Sequence, residues 1–367
     1  MTGTGDRDGN AARVDVLVSA DILRRMATEL LVAAGSPQDM ASLVSSSLVE
    51  SNLVGHDSHG VMRLPRYVTA VQAGEVDPTA RATFHPRRGG AGHVDGSWGW
   101  GQPAAVLATR MAVELARTNA VSVVTVDRCN HVGRLGEYVE SVAAAGMIGM
   151  AVCNAEPVVA PFGGHERLLG TNPIAMACPR RGGAPVVYDI ATAGVAEGKL
   201  SVARARGEQV ALGLVVDHEG AVSTDPQAFY SGGALLPFGA HKGYGLSVFI
   251  EIIGGILSGA GASSASKYVR GNGTWVLAID TASFMSIDEF ESEVGDLSQR
   301  LTGSAAPSEP SPVLPGDPEV RTRAERLPRG IPLPTETWLE LAQTAANLDV
   351  DWPRLVGSEL ATEGAVS

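Results

Sequence analysis

Val121-Ser122-Val123-Val124-Thr125-Val126-Asp127 decides the fold: a run of β-branched and small side chains follows directly on a helical pattern over residues 104–115 and ends in a carboxylate. A continuous apolar run of that length reads as a strand buried on both faces. The order recurs at once, with helical spacing over residues 135–145 and a second buried strand at Met147–Cys153. Helix, strand, helix, strand in the middle of the chain marks an α/β domain. Further short strands are expected at Ile174–Cys178, Val186–Ile190, 210–216 and 275–279, with a long Gly-bearing helix near 242–257. No sustained internal repeat accompanies them.

Toward the N-terminus, Ser19 can cap a helix in which Ile22, Met26 and Leu30 recur every four residues and which stops at Gly35. Ser36-Pro37 restarts the helix, with Met40, Leu43, Val44 and Leu48 inward. It leads into Gly55-His56-Asp57-Ser58-His59-Gly60-Val61-Met62-Arg63, which packs two imidazoles, a carboxylate, a hydroxyl and a guanidinium into a short span. Beyond Gly60, the residues Val61, Met62, Leu64, Tyr67, Val68 and Val71 fall at helical intervals. His59 and Arg63, four apart, are therefore expected on one face of a starting helix. A proton-moving imidazole beside an anion-gripping guanidinium suits a substrate with a carboxylate next to a carbonyl. Toward the C-terminus, Pro, Ser and Gly dominate residues 302–318, as in a linker or an ordered crossing arm. The last helix, 335–348, is expected to pack back on the N-terminal helices.

The 367 residues exceed one compact domain, and 44% hydrophobic content is enough for a substantial core. A formal net charge of −12 and a pI near 5.1 argue against a nucleic-acid partner or an anionic membrane surface. Residues 1–12 are polar, lack the apolar core of a secretory signal and read as a loose tail. The apolar stretch 243–262 carries Glu251 and several glycines, so it reads as a buried helix rather than a membrane span. Cys129, Cys153 and Cys178 have no CxxC spacing and an odd count, which fits a reducing cytoplasm and no disulfide framework.

Four polar, Gly-bearing clusters interrupt this background. Besides residues 56–63 they are 130–138, just after the strand ending at Asp127; 163–173 together with Asp189-Ile190-Ala191-Thr192-Ala193; and Gly239-Ala240-His241-Lys242-Gly243-Tyr244-Gly245. A turn that leaves the carboxyl end of a strand and opens a helix exposes backbone N–H groups to ligands, which would bring His131 to a substrate or cofactor. Taken alone, His131 reads equally as a structural histidine, Lys242 as a solvated charge at a helix start, and Gly163-Gly164 as a plain turn. No GxGxxG follows a strand and no GxxxxGK[ST] occurs, so neither the standard Rossmann fingerprint nor a P-loop is present. His56, Asp57 and His59 lack the HExxH and HxH spacings, and no metal is assigned to them.

In combination the motifs His56-Asp57-Ser58-His59-Gly60 with Arg63, Asn130-His131-Val132-Gly133, Gly170-Thr171-Asn172-Pro173, Asp189-Ile190-Ala191-Thr192, His241-Lys242-Gly243-Tyr244 and Pro315-Gly316-Asp317 are specific. Over residues 19–348 the chain resembles the malate/L-lactate dehydrogenase family of the second type. That family includes ureidoglycolate, sulfolactate and hydroxycarboxylate dehydrogenases and cyclic-imine carboxylate reductases. Val159-Ala160-Pro161-Phe162-Gly163-Gly164 and Gly233-Ala234-Leu235-Leu236-Pro237-Phe238 are most similar to the hydroxycarboxylate dehydrogenase branch.

The resemblance implies an α/β fold with a non-Rossmann dinucleotide-binding domain and a helical domain built from both chain ends. It also implies a homodimer with its active site between domains, moving a hydride between NAD or NADP and C2 of a small 2-hydroxy or 2-oxo carboxylate such as malate or lactate. Ser58 and His59 match the relay serine and proton-donor histidine of some members, Arg63 the substrate-carboxylate arginine, and His131 the acid/base histidine of others. The His131 loop with Gly133 approaches the nicotinamide. Asp189, Ile190 and Ala191 match a cofactor segment, Lys242 a cofactor-contacting lysine, Pro315, Gly316 and Asp317 an arm over the cofactor, and Thr171 a substrate-side threonine. The family often has Thr-Ser where this chain has Thr192-Ala193, and Gly-Gly where it has Gly239-Ala240.

The implied map is a disordered tail at 1–12, the N-terminal helical part of a substrate and dimer domain at 13–85, and the dinucleotide-binding and central region at 86–300. A crossing arm at 301–334 and a C-terminal helix at 335–367, packed on the N-terminal domain, complete it. Competing readings are reduction of a cyclic imine carboxylate, which Arg63 would serve equally, a metal-dependent hydrolase using His56, His59 and His131, and a non-catalytic dinucleotide-binding protein.

Overall fold

Ser19 starts the first helix as its position predicts, its hydroxyl accepting from the Ile22 amide at 3.3 Å. In the computed structural model, which describes residues 15–305, 311–357 and 360, the expected tail at 1–12 and the residues after 360 lie outside the described residues. The chain opens with β1 (Val16–Val18), α1 (Ala20–Ala33) and α2 (Gln38–Leu53), then two single 3-10 turns at Asp57–His59 and Val61–Arg63, then α3 (Leu64–Gln72). Its middle comprises β2 (Thr83–Pro86), β3 (Ala91–Asp95), α4 (Gly101–Asn119), β4 (Val121–Asp127), α5 (Gly136–Ala144), β5 (Met147–Cys153), β6 (Ile174–Cys178) and β7 (Val186–Ile190). There follow α6 (Glu197–Arg206), β8 (Val215–Val216), β9 (Val222–Ser223), α7 (Gln227–Tyr230), β10 (Ala234–Leu235), α8 (His241–Ile250), β11 (Thr274–Asp280) and α9 (Ile287–Thr302). The chain ends in α10 (Asp317–Arg329), β12 (Ile331–Leu333), α11 (Thr335–Asn347) and α12 (Trp352–Val356).

Two compact units result, one from the chain ends (up to Gln72 and from Thr322 onward) and one from Ala73–Arg321. In the first, α1 buries Leu23, Met26, Ala27, Leu30 and Leu31, so the stripe runs one step round from the predicted Ile22, which is half-buried. β1 pairs antiparallel with β12, Val16 facing Leu333, which ties the two ends of the chain together. Helix α11 packs on α3, and Trp338 meets Trp352 of α12 with ring centroids 4.8 Å apart.

The second unit is built on a mixed sheet of order β2-β3-β4-β11-β5-β6-β7, antiparallel at every step except β3 to β4. The predicted strands β4 and β5 are present and α5 links them, but β11 from far along the chain lies between them. Thr274 at its start faces Val126 on one side and Cys153 on the other, so the chain leaves β4 and β5 at the same end of the sheet. One face is covered by α4 and α5. Ala104, Ala108, Ala112 and Ala116, four apart and fully buried, let α4 lie close on Val94, Val124 and Val126. On the other face Val152 and Ile174 pack on Ile250 of α8, as the pleat's alternation requires.

Three expectations need correction. The strand predicted at 210–216 shrinks to β8, because Gly213 sits at φ +86 and breaks the extended run. The segment 301–334 is not all arm: α10 forms inside it, its Arg- and Glu-rich sequence giving an i,i+4 pair, Glu325 with Arg329, at 3.0 Å. The stretch 243–262 is not buried all round either, for Phe249, Ile252, Ile256 and Leu257 are 65%, 42%, 57% and 62% exposed.

Past Ile250, α8 continues as a π-helical turn, Glu251–Ile256, with Leu257 N donating to Ile252 O at 2.8 Å. Gly255 lets this turn press against its neighbours, since a Cβ there would stand 2.6 Å from Gly261 O and 2.7 Å from Asn154 Nδ2. The approach buries Glu251, 5% exposed, at the end of the sheet. Its Oε1 accepts from Asn172 Nδ2 at 2.9 Å and Gly170 N at 3.3 Å, and its Oε2 from Ser263 N at 2.9 Å and Asn154 Nδ2 at 3.1 Å. Asn154 O in turn accepts from Asn272 Nδ2 at 2.6 Å, and Asn272 Oδ1 from Val132 N at 3.1 Å.

Burial pushes the Cys129 thiol up to about 12, with the Asp127 charge adding to it, and burial raises Cys153 as well. Both thiols are therefore protonated at neutral pH and poor nucleophiles. Because the folded-state value lies above the ordinary 9.0, the stability Cys129 contributes is complete below that pH and lost as pH climbs toward about 12. Cys129 and Cys153 should resist iodoacetamide at pH near 8 in the native protein; rapid double alkylation seen by mass spectrometry would contradict their burial. In Glu251→Gln an NH₂ replaces an oxygen that faces two N–H donors. The change should lower stability by at least about 2 kcal/mol, read as a fall in the urea midpoint, and an unchanged midpoint would contradict the network.

Candidate active site

Asn52, buried on α2, organises the His-rich turn. Its Oδ1 accepts from Val61 N at 2.9 Å and its Nδ2 donates to Asp57 Oδ1 at 2.7 Å. From α10, Arg326 adds a two-point ion pair to the same carboxylate, Nη1 to Oδ1 at 2.7 Å and Nη2 to Oδ2 at 3.1 Å, and also donates to the Asn52 carbonyl. Gly60 is required between the two 3-10 turns, since a Cβ there would stand 2.2 Å from Asn52 Oδ1. The continuous helix expected to carry His59 and Arg63 on one face is therefore absent. Gly60 is extended (φ −89, ψ −159), the Val61 amide is taken by Asn52, and the regular helix starts only at Leu64.

Within this turn Arg63 Nε donates to Ser58 O at 2.6 Å, which folds the guanidinium back over Ser58 and His59. Among the described residues neither the terminal nitrogens of Arg63 nor the Ser58 hydroxyl has a protein partner. They remain available to a ligand anion. Both Asp57 oxygens are occupied, so Asp57 anchors the turn. No group of three or more His, Cys, Asp or Glu among the described residues is placed to hold a metal ion.

In the second unit, His131 is half-buried on the loop between β4 and α5. That loop has irregular backbone and is braced throughout. Asn130 Nδ2 donates to Trp98 O at 2.9 Å and Gly99 O at 3.0 Å, Tyr138 donates its hydroxyl hydrogen to Val132 O, and Val132 N is held by Asn272. Gly101 opens α4 against this backbone, where a Cβ would stand 2.3 Å from both Asn130 O and His131 O. Gly133 takes φ +81, the left-handed conformation that glycine tolerates.

The start of α5 is not an open anion site, contrary to expectation. Its first amide, Gly136 N, donates to Asp189 Oδ2 at 2.7 Å, so a carboxylate from β7 caps the helix and complements its dipole. Beside it on β7, Val187 N donates to Pro315 O at 3.1 Å, and Asp317 Oδ2 accepts from Leu314 N at 3.0 Å. Gly316, at φ +94, lets the segment lie against Val187. Ile190 and Ala191 lead from this strand to Thr192, whose N and Oγ1 both donate to Thr171 O, at 2.9 and 3.0 Å. Thr192 O accepts from Phe238 N at 2.9 Å, just before the turn that carries Lys242. Asp189, the Pro315 segment and Thr171 are thus joined to the His131 loop through backbone bonds and the Glu251 network. Among the described residues, the Thr171 hydroxyl and the exposed Lys242 ammonium have no protein partner.

Asn52, Asn154, Asn272, Glu251 and Arg326 were not singled out as site residues by spacing. Glu251 alone left a signal, as the one charge within 243–262. Ala240, by contrast, has φ +58 and ψ −117, a conformation costly for any residue with a Cβ. Ala240→Gly should therefore raise stability by about 1 kcal/mol, seen as a higher thermal midpoint; a lower midpoint would show that the turn is unstrained.

Comparison with known proteins agrees with this fold. The chain is 34% identical over 356 residues to the malate dehydrogenase of Pyrococcus abyssi, covering 91% of this chain and 96% of that protein. The sulfolactate dehydrogenase of Methanocaldococcus jannaschii superposes with a TM-score of 0.85 at 29% identity, over 91% of this chain and 98% of that one. The delta1-piperideine-2-carboxylate reductase of Pseudomonas syringae superposes with a TM-score of 0.81 at 29% identity, over 90% and 99%. The malate/L-lactate dehydrogenase family model matches residues 18–342. The chain belongs to the malate/L-lactate dehydrogenase family.

Proposed function

We propose that this protein is a nicotinamide-dependent dehydrogenase that interconverts a small 2-hydroxy carboxylate and its 2-oxo acid. The observation that carries the reading is the Arg63 guanidinium, tied by Nε to Ser58 O with its terminal fork unengaged among the described residues. A planar fork of that kind binds a carboxylate through two charge-assisted bonds. His59 or His131 exchanges the proton on the substrate oxygen, help worth about 10²–10⁴ in rate, with Ser58 as relay to His59. Thr171 contributes a hydroxyl on the substrate side.

The available groups fit a dinucleotide. Lys242 offers, at a helix start, an ammonium with no partner among the described residues, the Pro315-Gly316-Asp317 segment is stapled beside Asp189, and Ile190 and Ala191 continue that strand. NAD or NADP, when bound there, supplies or accepts the hydride at C2. A nearly all-antiparallel sheet and the lack of GxGxxG support a dinucleotide site of non-Rossmann type. The exposed apolar side of α8 and its π turn, formed by Phe249, Ile252, Ile256 and Leu257, supports a homodimer. Among the described residues no helix is long and apolar enough to cross a membrane, and the three unpaired cysteines fit a cytoplasmic setting.

The second reading, reduction of a cyclic imine carboxylate, is favoured by the likeness to the Pseudomonas reductase, and Arg63 would grip that carboxylate in the same way. Absorbance of NADH and of NADPH should fall when the purified protein meets one member of a panel of 2-oxo acids and cyclic imine carboxylates. Turnover of imines alone would transfer the assignment to the second reading. Turnover that needs no nicotinamide and stops with a chelator would favour a metal-dependent hydrolase. Arg63→Ala should raise KM for the carboxylate roughly 10- to 100-fold, the cost of losing charge-assisted bonds; unchanged kinetics would remove Arg63 from the site.

A further inference from the structure

We infer that Arg326, which no motif singles out, is a positioning residue for the Ser58-His59-Arg63 turn. The inference rests on the reading of Arg63 as the carboxylate clamp. Arg326 is largely buried, with 17% of its side chain exposed, and both terminal nitrogens are committed to Asp57. Asp57 is the first residue of the 3-10 turn that contains Ser58 and His59. At the other end of that turn, the Val61 amide is fixed by Asn52 Oδ1, and the Asn52 amide nitrogen returns to Asp57. Arg63 takes its own orientation from Ser58 O. Ser58 O, the atom that aims Arg63, is thus one peptide unit away from the residue that Arg326 holds.

Two geometric features separate this role from simple docking of α10. The helix is held independently by Arg323, whose Nε lies 3.2 Å from Glu50 Oε2, and by Thr322, which lies against Gly55. Glu50 is itself fixed by Arg24 at 2.8 Å. The Arg326 pair also uses both oxygens of Asp57, so together with the Asn52 amide on Oδ1 it sets the rotation of that carboxylate, and Nη2 alone reaches Oδ2.

The test uses the full chain as Arg326→Ala and Arg326→Lys, with hydrogen exchange followed in peptides covering 56–63 and steady-state kinetics measured on the same samples. In Arg326→Ala, exchange should accelerate in those peptides. KM for the 2-oxo acid should rise roughly 10- to 100-fold, as a small misplacement of a positioning group does, while KM for the dinucleotide stays at the wild-type value. Guanidinium ion at a non-denaturing concentration should restore part of both effects, and Arg326→Lys, which keeps the charge and loses the fork, should remain impaired. Unchanged exchange in 56–63, or an unchanged carboxylate KM with only a lower thermal midpoint, would overturn the proposal. If the wild-type protein turns over no 2-oxo acid, the functional reading fails by itself. Exchange then decides the positioning role: acceleration confined to 56–63 and reversed by guanidinium supports it, and no acceleration overturns it.

Discussion

A buried carboxylate with no cation beside it among the described residues sets the geometry of the larger unit. Glu251 is neutralised in effect by four N–H donors, from Gly170, Asn172, Asn154 and Ser263, and each must come to it from a different part of the chain or a different atom of a turn. Leaving any donor or the anion unmatched in that surrounding costs more than an ordinary hydrogen bond returns, so the segments are fixed together. The surrounding irregularities follow from this demand. The π turn rotates Glu251 inward, Gly255 clears the approach, and Asn172 accepts φ +38 because its amide nitrogen gains bonds to Glu251 Oε1 and Ser247 Oγ, both at 2.9 Å.

The smaller unit solves the same problem with an amide and an ion pair. Asn52 joins the Val61 amide to the Asp57 carboxylate, as Asn154 joins the Gly273 amide to Glu251. Ser58, His59, Arg63, His131 and Thr171 all sit on backbone outside regular helices and strands, yet each stretch is braced by a buried amide or carboxylate. Such bracing is what lets reactive side chains on loops hold a defined direction. The Arg63 fork, the Ser58 and Thr171 hydroxyls and the Lys242 ammonium, each without a protein partner among the described residues, are groups expected to meet small ligands.

Much of this was legible in the sequence, for identifiable reasons. Strands β5, β6 and β7 fall at the predicted residues because each is a compact run bounded by Gly, Pro or polar turns, and the α1 cap follows from Ser19 alone. The insertion of β11 between β4 and β5 was not legible, since local periodicity carries no information about a partner strand so remote in the chain. The 3-10 turns were missed because Asn52 captures the Val61 amide, a contact outside any local window. Asp189 was placed by resemblance in a cofactor segment; its bond to Gly136 adds a structural duty that no motif announces. Arg326 carries no pattern of its own and becomes visible only when α10 meets the turn.

The proposed reaction moves hydride directly between a nicotinamide and C2 of a small carboxylate held by Arg63. It is tested most directly by supplying reduced dinucleotide deuterated at C4, on each face in turn, with a 2-oxo acid, and locating the label in the product by NMR. Deuterium at C2 of the hydroxy acid from one of the two labelled faces, and from that face only, is the predicted result. A product with no deuterium at C2 from either face would contradict direct hydride transfer.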